Sequence, residues 1–191
     1  MAGSLTRDAV APRLRGRFGR EYVYAARCES TQRLLPPGAA EGTVAVTDEQ
    51  TEGRGRLGRH WEAAAGTSVL CSVLLRPEVA PERLPELTLV GARACAAAIA
   101  ELTGLEPAIK DPNDVLLRGR KVAGVLGEAS EGRVVLGIGI NVNVPESELP
   151  RETRLPATSL LAEFGSHVDR AELLAGLLAE LEHEYDAWLA G

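Results

Sequence analysis

Runs of apolar residues separated by polar, glycine and proline residues divide the first half of the chain into predicted strands and helices. Residues 22–28, 43–47 and 67–75 are rich in β-branched and other apolar residues, which is typical of strands. The third run is almost continuously apolar, so we predict that it is a central strand. Residues 84–102 carry apolar side chains at helical spacing, and Gly104 follows where the end of a helix is expected.

The second half of the chain predicts several short strands followed by two helices. Residues 107–110, 115–118, 121–128 and 133–144 have the pattern of β elements, and Gly119 marks a hairpin turn. Gly137 and Gly139 interrupt the last of these, which indicates a bulge or a ligand close to the backbone. Helices are predicted at 159–164 and from a capping box at 169–172 to residue 189. These elements predict an α+β domain in which helices flank a mixed β-sheet.

Length and composition limit the number of domains and the class of protein. We expect residues 1–20 to be an N-terminal tail or a short helix, and residues 21–191 to form one domain. About 20 residues are too few for a separate DNA-binding head such as a winged helix. The net charge of -6 also argues against a general nucleic-acid binder, because such binding relies on neutralising phosphates.

Cysteine content and hydropathy bear on where the protein works. The three cysteines are Cys28, Cys71 and Cys95, an odd number at wide spacing with apolar neighbours, so we predict reduced thiols. The N-terminus lacks the apolar core of a signal peptide, and no apolar stretch is long enough to span a bilayer. We therefore expect a cytoplasmic protein with no membrane partner.

A loop at residues 53–59 combines three glycines with three arginines, followed by Trp61. Glycine lets a backbone approach a ligand, and arginine offers a fork of donors that suits carboxylate and phosphate. The spacing of Gly53, Gly55 and Gly58 also fits the dinucleotide-binding motif G-x-G-x-x-G. However, residues 60–67 are too short and too soon broken by a glycine to form the helix that this motif requires. An anion-binding loop is the better interpretation, with a solvated basic loop as the alternative.

Further polar clusters follow the predicted strands and turns. They are residues 29–32, residue 50 beside the glycine and arginine loop, 110–114 with 121–124, and 137–143. Together they supply arginine and lysine for anions, an aspartate for a cation such as Mg²⁺, and amides for a neutral polar group.

These clusters, in this order, resemble the motifs of the catalytic domain of bacterial biotin–protein ligases. The family has Gly-Arg-Gly-Arg-x-Gly-Arg-x-Trp (matched at 53–61), Lys-Trp-Pro-Asn-Asp (110–114), Lys-x-x-Gly-[Ile/Val]-Leu-x-Glu (121–128) and Gly-[Ile/Val]-Gly-[Ile/Leu]-Asn-Val-Asn (137–143). The Ser-Thr of its early [Asp/Glu]-Ser-Thr-Asn segment matches Ser30-Thr31, with Gln32 in place of Asn. The resemblance extends over about residues 22–188 and implies the class II synthetase-like fold of the biotin/lipoate ligase superfamily.

The resemblance implies an ATP-dependent ligase that works in two steps. Biotin and ATP first form biotinyl-5′-AMP, and a lysine of a biotin carboxyl carrier protein, part of a biotin-dependent carboxylase, then takes the biotinyl group. Both steps build negative charge on oxygen, so donors fixed around that charge are expected to dominate catalysis. Biotin, ATP and Mg²⁺ are the expected small molecules, DNA is not an expected partner, and a homodimer is one candidate assembly.

The resemblance also implies the site residues. Lys121, near the biotin carboxylate and the α-phosphate, and Arg56, which holds the acyl-adenylate, are the expected catalytic residues. The positions expected to bind biotin are Ser30, Thr31, Gln50, Gly53, Arg54, Arg56, Trp61, Lys121, Gly124, Gly137 and Gly139. Those expected to bind ATP are Arg56, Arg59, Lys110, Asn113, Asp114, Lys121 and Asn141. Asp114 is the candidate ligand of Mg²⁺, and Trp61 packs against a ligand or belongs to the core.

Two departures from the family pattern stand out. Asp111 occupies the place of the usual Trp, and the lost ring and added negative charge are expected to weaken ATP binding. The family's small C-terminal β-barrel-like domain has no counterpart in these residues, so slower catalysis is expected. Two alternatives stay open: a lipoate or octanoate ligase of the same superfamily, and a non-catalytic biotin-binding or regulatory relic.

Overall fold

A computed structural model describes residues 3–151 and 153–191 and contains one mixed seven-stranded sheet. The strands are β1 (Tyr22–Cys28), β2 (Val44–Gln50), β3 (Ser68–Leu75), β4 (Ala108–Lys110), β5 (Asp114–Leu117), β6 (Arg120–Ser130) and β7 (Arg133–Asn141). They lie in the order β1-β2-β3-β7-β6-β5-β4. β1 and β2 run parallel, and every other neighbouring pair is antiparallel. The predicted mixed sheet is confirmed, and β3 is central as expected.

The helices are α1 (Arg7–Val10), α2 (Thr31–Leu34), α3 (Leu87–Thr103), α4 (Leu160–Phe164) and α5 (Arg170–Ala190). The predicted helix from residue 84 begins three residues later, because residues 81–86 form a 3₁₀ turn that contains Pro85. Gly104 ends α3 with φ 70°, as its position in the sequence indicates. No helix in the described ranges is long and apolar enough to cross a membrane.

Alternation along the central strands sends side chains to two faces of the sheet. On one face Val46, Cys71 and Ile138 are buried in a core that α3 and α5 cover. On the other face Leu74 and Val135 belong to a smaller apolar cluster. That second face is not covered by a long helix, and it is where a ligand has room to bind.

A bulge in β6 breaks this alternation at one place. Residues 115 and 116 of β5 pair with Ala123 and Lys121, so Val122 has no partner of its own. A bulge of this kind lets two consecutive side chains face the same way. Val122 and Ala123 are both buried in the core, and Lys121 consequently lies on the same face as Gly124.

The N-terminal segment packs onto the same core instead of forming a free tail. Leu5, Val10 and Phe18 are buried in it, and residues 7–13 form α1 and a 3₁₀ turn where a short helix was predicted. Arg17 pairs with Glu182 and Asp186 on α5. Residues 3–20 are therefore part of the domain predicted for residues 21–191.

The start of α5 carries one part of the predicted capping box. Asp169 accepts hydrogen bonds from the backbone of Ala171 and Glu172, as an N-cap does. The Glu172 carboxylate pairs with Arg13 and Arg15 of the N-terminal segment. Glu172, the second residue of the predicted capping box, therefore stabilises the packing of the N-terminal segment on α5.

The next residue, Arg170, is buried and joins three parts of the chain. Its guanidinium donates to the Ser68 carbonyl at 2.9 Å, to the Gly3 carbonyl at 2.6 Å and to Asp48 Oδ1 at 3.1 Å. Burial alone would raise the pKa of Asp48. Hydrogen bonds from Ser4 and Tyr24 and the charge of Arg170 outweigh burial, so that pKa is lowered.

We expect Arg170→Met to lower the free energy of unfolding at pH 7 by about 3 kcal/mol, since it leaves Asp48 without its buried partner. Because folding lowers the pKa of Asp48, its ionised form adds stability above its ordinary pKa. That contribution is lost as pH falls through the folded value. The difference between wild type and variant should therefore shrink below about pH 4. Urea unfolding at several pH values measures this.

Arg93→Met is the matched control, because Arg93 is exposed on α3. It should change the free energy of unfolding by less than about 0.5 kcal/mol. Equal effects of the two substitutions, or a difference that does not depend on pH, would contradict the role given to the Arg170–Asp48 pair.

Candidate active site

A cavity of about 430 Å³ lies over the uncovered face of the sheet and extends to its loops. Most of the predicted site residues line it: Ser30, Thr31, Gln50, Arg54, Arg56, Arg59, Trp61, Asn113, Asp114, Lys121, Gly124, Gly137, Gly139 and Asn141. Residues from widely separated parts of the sequence thus converge on one concave surface, as a ligand site requires.

Three glycines form the floor of the cavity. Gly139 pairs with Gly124 across β7 and β6, and Gly137 pairs with Leu126. The pairing of β7 with its neighbours is regular here, so Gly137 and Gly139 do not form a bulge, which was one of the two predictions for them. A Cβ at Gly139 would lie 2.6 Å from the Trp61 ring, and one at Gly137 would lie 3.2 Å from the Gln32 side chain. The absent side chains therefore give other groups room to approach the sheet.

Trp61 lies against this floor. Its ring is close to Gly139, and a Cβ at Gly124 would meet it at 3.0 Å. The Lys121 Nζ lies 5.5 Å from the ring centroid. The indole N–H is buried and has no hydrogen-bond acceptor among the described residues, although a buried indole normally has one. Trp61 is therefore an apolar wall of the cavity with one donor unused.

One end of the cavity is neutral and polar. The Thr31 N–H donates to Gln50 Oε1 at 2.9 Å, and the Thr31 and Ser72 hydroxyls lie 2.7 Å apart. Ser30 is buried beside them and precedes the first residue of α2, where its side chain makes no capping hydrogen bond. These hydroxyl and amide groups suit an uncharged ligand group that both donates and accepts hydrogen bonds.

The other end is charged. The Lys121 Nζ lies 2.5 Å from Asp114 Oδ1, and a Cβ at Gly124 would be 3.1 Å from that nitrogen. Asn113 is buried, and its amide donates to the Val125 carbonyl at 3.0 Å. An ammonium group held in place next to a glycine floor can stabilise negative charge on a bound oxygen.

The glycine and arginine loop closes on itself as a small hairpin. Trp61 N–H donates to the Gly53 carbonyl at 2.9 Å, and Gly55 N–H donates to the Arg59 carbonyl at 2.7 Å. Leu57 at the tip has φ 59° and is 91% exposed. Only a 3₁₀ turn at Arg56–Gly58 follows the first glycines, so the loop does not lead into the helix of a dinucleotide-binding motif.

The three arginines of this loop are held by different contacts. Arg54 pairs with Glu128 at 2.8 Å at the exposed rim. Arg56 donates a long hydrogen bond of 3.4 Å to Asn113 Oδ1. The Arg59 Nε donates to the Arg56 carbonyl at 2.9 Å. Arg56 thus lies at the charged end, whereas Arg54 is held at Glu128, four residues along β6 from Gly124. All three arginines line the cavity, and guanidinium groups suit an anionic ligand.

Two predicted residues do not line the cavity. Gly53 lies below the loop, where a Cβ would be 2.2 Å from the Trp61 carbonyl oxygen, so it has a packing role. Lys110 is exposed on the edge strand β4, opposite Asp114. Asp111 is also exposed and outside the cavity lining.

Sequence reasoning missed part of the cavity wall. The additional lining residues include Gln32, Cys71, Thr153, Arg154, Leu155 and Ala157. Gln32 adjoins the Ser30-Thr31 pair and could have been found from that position. Residues 153–157 carry no motif and reach the site only because the loop after β7 folds back. The Cys71 thiol is free, and burial raises its pKa to about 12, so it is neutral and not a nucleophile at neutral pH.

The sheet thus carries one cavity with a glycine floor, a neutral polar end and a cationic end. The chain belongs to the biotin/lipoate A/B protein ligase family, whose model matches residues 24–144. The family predicted from the motifs is thus confirmed.

Two curated relatives show how far the similarity extends. The bifunctional ligase/repressor BirA of Bacillus subtilis is 40% identical over 177 residues, which is 88% of this chain and 54% of that protein. The biotin–[acetyl-CoA-carboxylase] ligase of Paracoccus denitrificans is 35% identical over 188 residues, covering 86% of this chain and 78% of that protein. The chain thus spans about half the length of the Bacillus relative.

A solved structure has the same fold. The biotin protein ligase from Aquifex aeolicus in complex with biotin and ATP is 34% identical and has a TM-score of 0.80. The match covers 90% of this chain and 72% of that one. The predicted class II synthetase-like catalytic fold is therefore confirmed.

We expect Gly139→Ala to displace the Trp61 ring, since the new methyl would lie 2.6 Å from it. The sequence has two tryptophans, so in a Trp188→Phe background the fluorescence reports Trp61 alone. The emission should shift to longer wavelength, and acrylamide should quench it more strongly.

Gly127→Ala on the same strand as Gly124 is the control. A Cβ there would meet its nearest neighbour, the Thr88 hydroxyl, at 3.4 Å, which is near ordinary contact. Its emission should match that of the parent. If Gly139→Ala also leaves emission and quenching unchanged, Trp61 does not lie on the glycine floor.

Proposed function

We propose that this chain activates biotin with ATP and transfers the biotinyl group to a lysine of a biotin carboxyl carrier protein. One observation carries this proposal: a neutral polar end and a cationic end lie over the same glycine floor. Biotin has the matching chemistry, with a ureido ring at one end, a carboxylate at the other and an alkyl chain between them.

The dimensions of the cavity support biotin. Gly137 and Gly139 are two residues apart, so the strand positions beneath the two ends are separated by about 7 Å. Ser72, the partner of Gly137, lies at the polar end, and Lys121 reaches the level of Gly139 at the other. Trp61 lies against the floor at Gly124 and Gly139, beside Lys121, where it can pack against the alkyl chain near the carboxylate.

In the first step, a biotin carboxylate oxygen attacks the α-phosphorus of ATP and pyrophosphate leaves. The two anions repel each other, so cations must hold them together. We assign Lys121 to both reacting groups and Arg56 to the adenylate that they form. Lys121 pairs with Asp114, and Arg56 bonds to the neighbouring Asn113. In this proposal Arg54 holds the acyl-adenylate together with Arg56, Arg59 binds the outer phosphates of ATP, and Asn141 binds the adenosine.

In the second step, the carrier's lysine amine attacks the acyl carbon, the acyl–phosphate bond breaks, and AMP leaves. The Cys71 side chain faces the helix-covered core, so it does not offer a nucleophile for a covalent enzyme intermediate. The residues of this chain then have to hold the adenylate, exclude water and present the acyl carbon. The carrier's own amine supplies the nucleophile.

Mg²⁺ fits this site as an ion that arrives with ATP. No group of three or more His, Cys, Asp or Glu side chains that could hold a metal occurs in the part of the chain that the structure describes. Asp114 offers a single buried carboxylate, whose Oδ1 makes no well-aligned hydrogen bond despite its closeness to Lys121. One carboxylate together with phosphate oxygens is an arrangement that Mg²⁺ accepts. When bound, the ion would neutralise phosphate charge.

We further propose that the protein acts in the cytoplasm, where ATP and carrier proteins meet and where its free cysteines stay reduced. Lack of DNA binding and formation of a homodimer stay predictions. Lys110, expected to bind ATP, would have to reach the nucleotide from β4.

The proposal predicts biotin-dependent exchange of pyrophosphate into ATP. Lys121→Ala should reduce this exchange by about 100-fold or more, because it removes the fixed cation at the reacting oxygens. Biotin binding, measured by calorimetry, should persist in the variant, since the polar end of the cavity is intact. Arg93→Met is the control and should exchange like wild type.

Wild-type protein that binds biotin but shows no exchange would instead indicate a non-catalytic biotin-binding protein. Exchange that Lys121→Ala leaves intact would remove Lys121 from the mechanism.

Competition between acids tests the choice of substrate. The polar end, with Thr31, Ser72 and Gln50, should favour the ureido ring over the dithiolane of lipoate, which cannot donate hydrogen bonds. We expect lipoate and octanoate to support at most a small fraction of the biotin-dependent exchange and to compete poorly with biotin. Preferential use of either acid would identify the chain as a lipoate or octanoate ligase.

A further inference from the structure

We infer that Glu163 is a positioning residue for Lys121: it holds the β6 bulge and residues 156–158 in the arrangement that aims the lysine at the cavity. This inference rests on the proposed function, because it concerns the reactivity of Lys121. Glu163 itself does not line the cavity, so any effect on the reaction passes through its neighbours.

The bulge gives the main chain of Lys121 an additional partner. Lys121 N–H donates to the Pro156 carbonyl at 2.7 Å, and its carbonyl accepts from Thr158 N–H at 2.8 Å. These bonds form an isolated parallel bridge between Lys121 and Ala157. Residues 156–158 thus act as a one-residue strand that fixes the backbone from which the Lys121 side chain leaves.

Glu163 ties together both sides of this bridge. Its Oε1 accepts from Arg120 Nη2 at 2.7 Å and from Thr158 Oγ1 at 2.7 Å. Arg120 precedes Lys121 on β6, and Thr158 is the residue bonded to the Lys121 carbonyl. One carboxylate oxygen therefore connects the two chain segments that define the position of Lys121.

The burial of Glu163 makes this connection strong. Its side chain is 1% exposed, and a buried carboxylate is tolerated only when charged or hydrogen-bonded partners surround it. Arg118 lies 3.5 Å from the second carboxylate oxygen, Oε2. Removing the carboxylate would leave Arg120 and Thr158 without their acceptor and would free the segment that holds Lys121.

The same peptide also reaches the nucleotide side of the cavity. The Asn141 side-chain amide donates to the Thr158 carbonyl at 3.0 Å. A shift of Thr158 would therefore disturb Asn141 as well as Lys121. At the polar end, Thr31 bonds to Gln50 and Ser72 and not to the residues of this network, so recognition of the ureido ring should be largely independent of it.

The test compares Glu163→Ala, Glu163→Gln and a remote control by biotin-dependent pyrophosphate exchange, biotin calorimetry and thermal unfolding. Glu163→Ala should lower kcat of exchange by about 10- to 100-fold, the cost of misplacing a reacting group by about 1 Å. The Kd for biotin should change little. Glu163→Gln keeps the Oε1 acceptor and should retain most of the rate.

Glu182→Ala is the matched control. Glu182 also accepts several hydrogen bonds, from the backbone of Arg17 and Phe18, but it lies on α5 and contacts neither Lys121 nor residues 156–158. It should lower Tm without lowering kcat. If both variants lose kcat in the same proportion to their loss of Tm, the role of Glu163 is only structural. That result would overturn the inference.

Two more results distinguish the outcomes. In the Trp188→Phe background, Glu163→Ala should change acrylamide quenching of Trp61, because Lys121 Nζ moves from beside that ring.

Thr158→Val is the second variant if Glu163→Ala does not fold. It removes only the hydroxyl donor and should still lower kcat. A wild-type kcat in Thr158→Val would overturn the inference. Wild-type protein without exchange would count against the proposed function itself, whereas unchanged Trp61 quenching would count against Glu163 alone.

Discussion

Two-residue alternation on β3, β6 and β7 is the constraint on which both the core and the site depend. The same strands that send Cys71 and Ile138 under the long helices send Gly137 and Gly139 to the opposite face. A slip of register by one residue would move the glycines into the core and apolar side chains into the cavity. Burial of the helix-covered face therefore fixes the register of the strands, and that register determines where the glycine floor lies on the opposite face.

The bulge at Val122 interrupts the alternation, and the position of Lys121 on the cavity face depends on this interruption. Without it, Lys121 would face the core three residues from Gly124, and a lysine there would be a buried charge. The bulge instead buries Val122 beside Ala123 and brings the ammonium group to the glycine floor. The backbone of Lys121 also forms hydrogen bonds with residues 156–158, and these bonds stabilise the chain at the bulge.

The features of the fold that could be predicted from the sequence are those that depend on neighbouring residues. The bounds of β1, the hairpin at Gly119 and the end of α3 at Gly104 all depend on neighbouring residues, and sequence patterns predict them well. The bulge in β6 cannot be recognised this way, because Lys121-Val122-Ala123-Gly124 contains no residue that breaks a strand before Gly124. Its cause lies in pairing with β5 and with a loop some 35 residues away in sequence.

The candidate site shows the same division. Most residues carried by short motifs line the cavity, with Gly53 and Lys110 as exceptions, whereas the contribution of residues 153–157 depends on how a motif-free loop folds back. The packing of Leu5 and Phe18 was missed for a similar reason, since an arginine-rich segment without periodicity gives no sign of two buried side chains. Their burial depends on α5, whose acidic residues Glu172 and Glu182 pair with the arginines between them.

Lys121 is held more rigidly than the arginines of the glycine and arginine loop, and this difference suits the proposed reaction. Lys121 is fixed by strand pairing and by Asp114, so its position does not depend on a ligand. The loop arginines are held by an exposed ion pair at Glu128 and a long hydrogen bond to Asn113, contacts that contribute about 1 kcal/mol or less each. Phosphate oxygens offer arginine stronger, charge-assisted bonds, so a nucleotide can replace these contacts. Binding of the nucleotide would then order the loop over a lysine that is already in place.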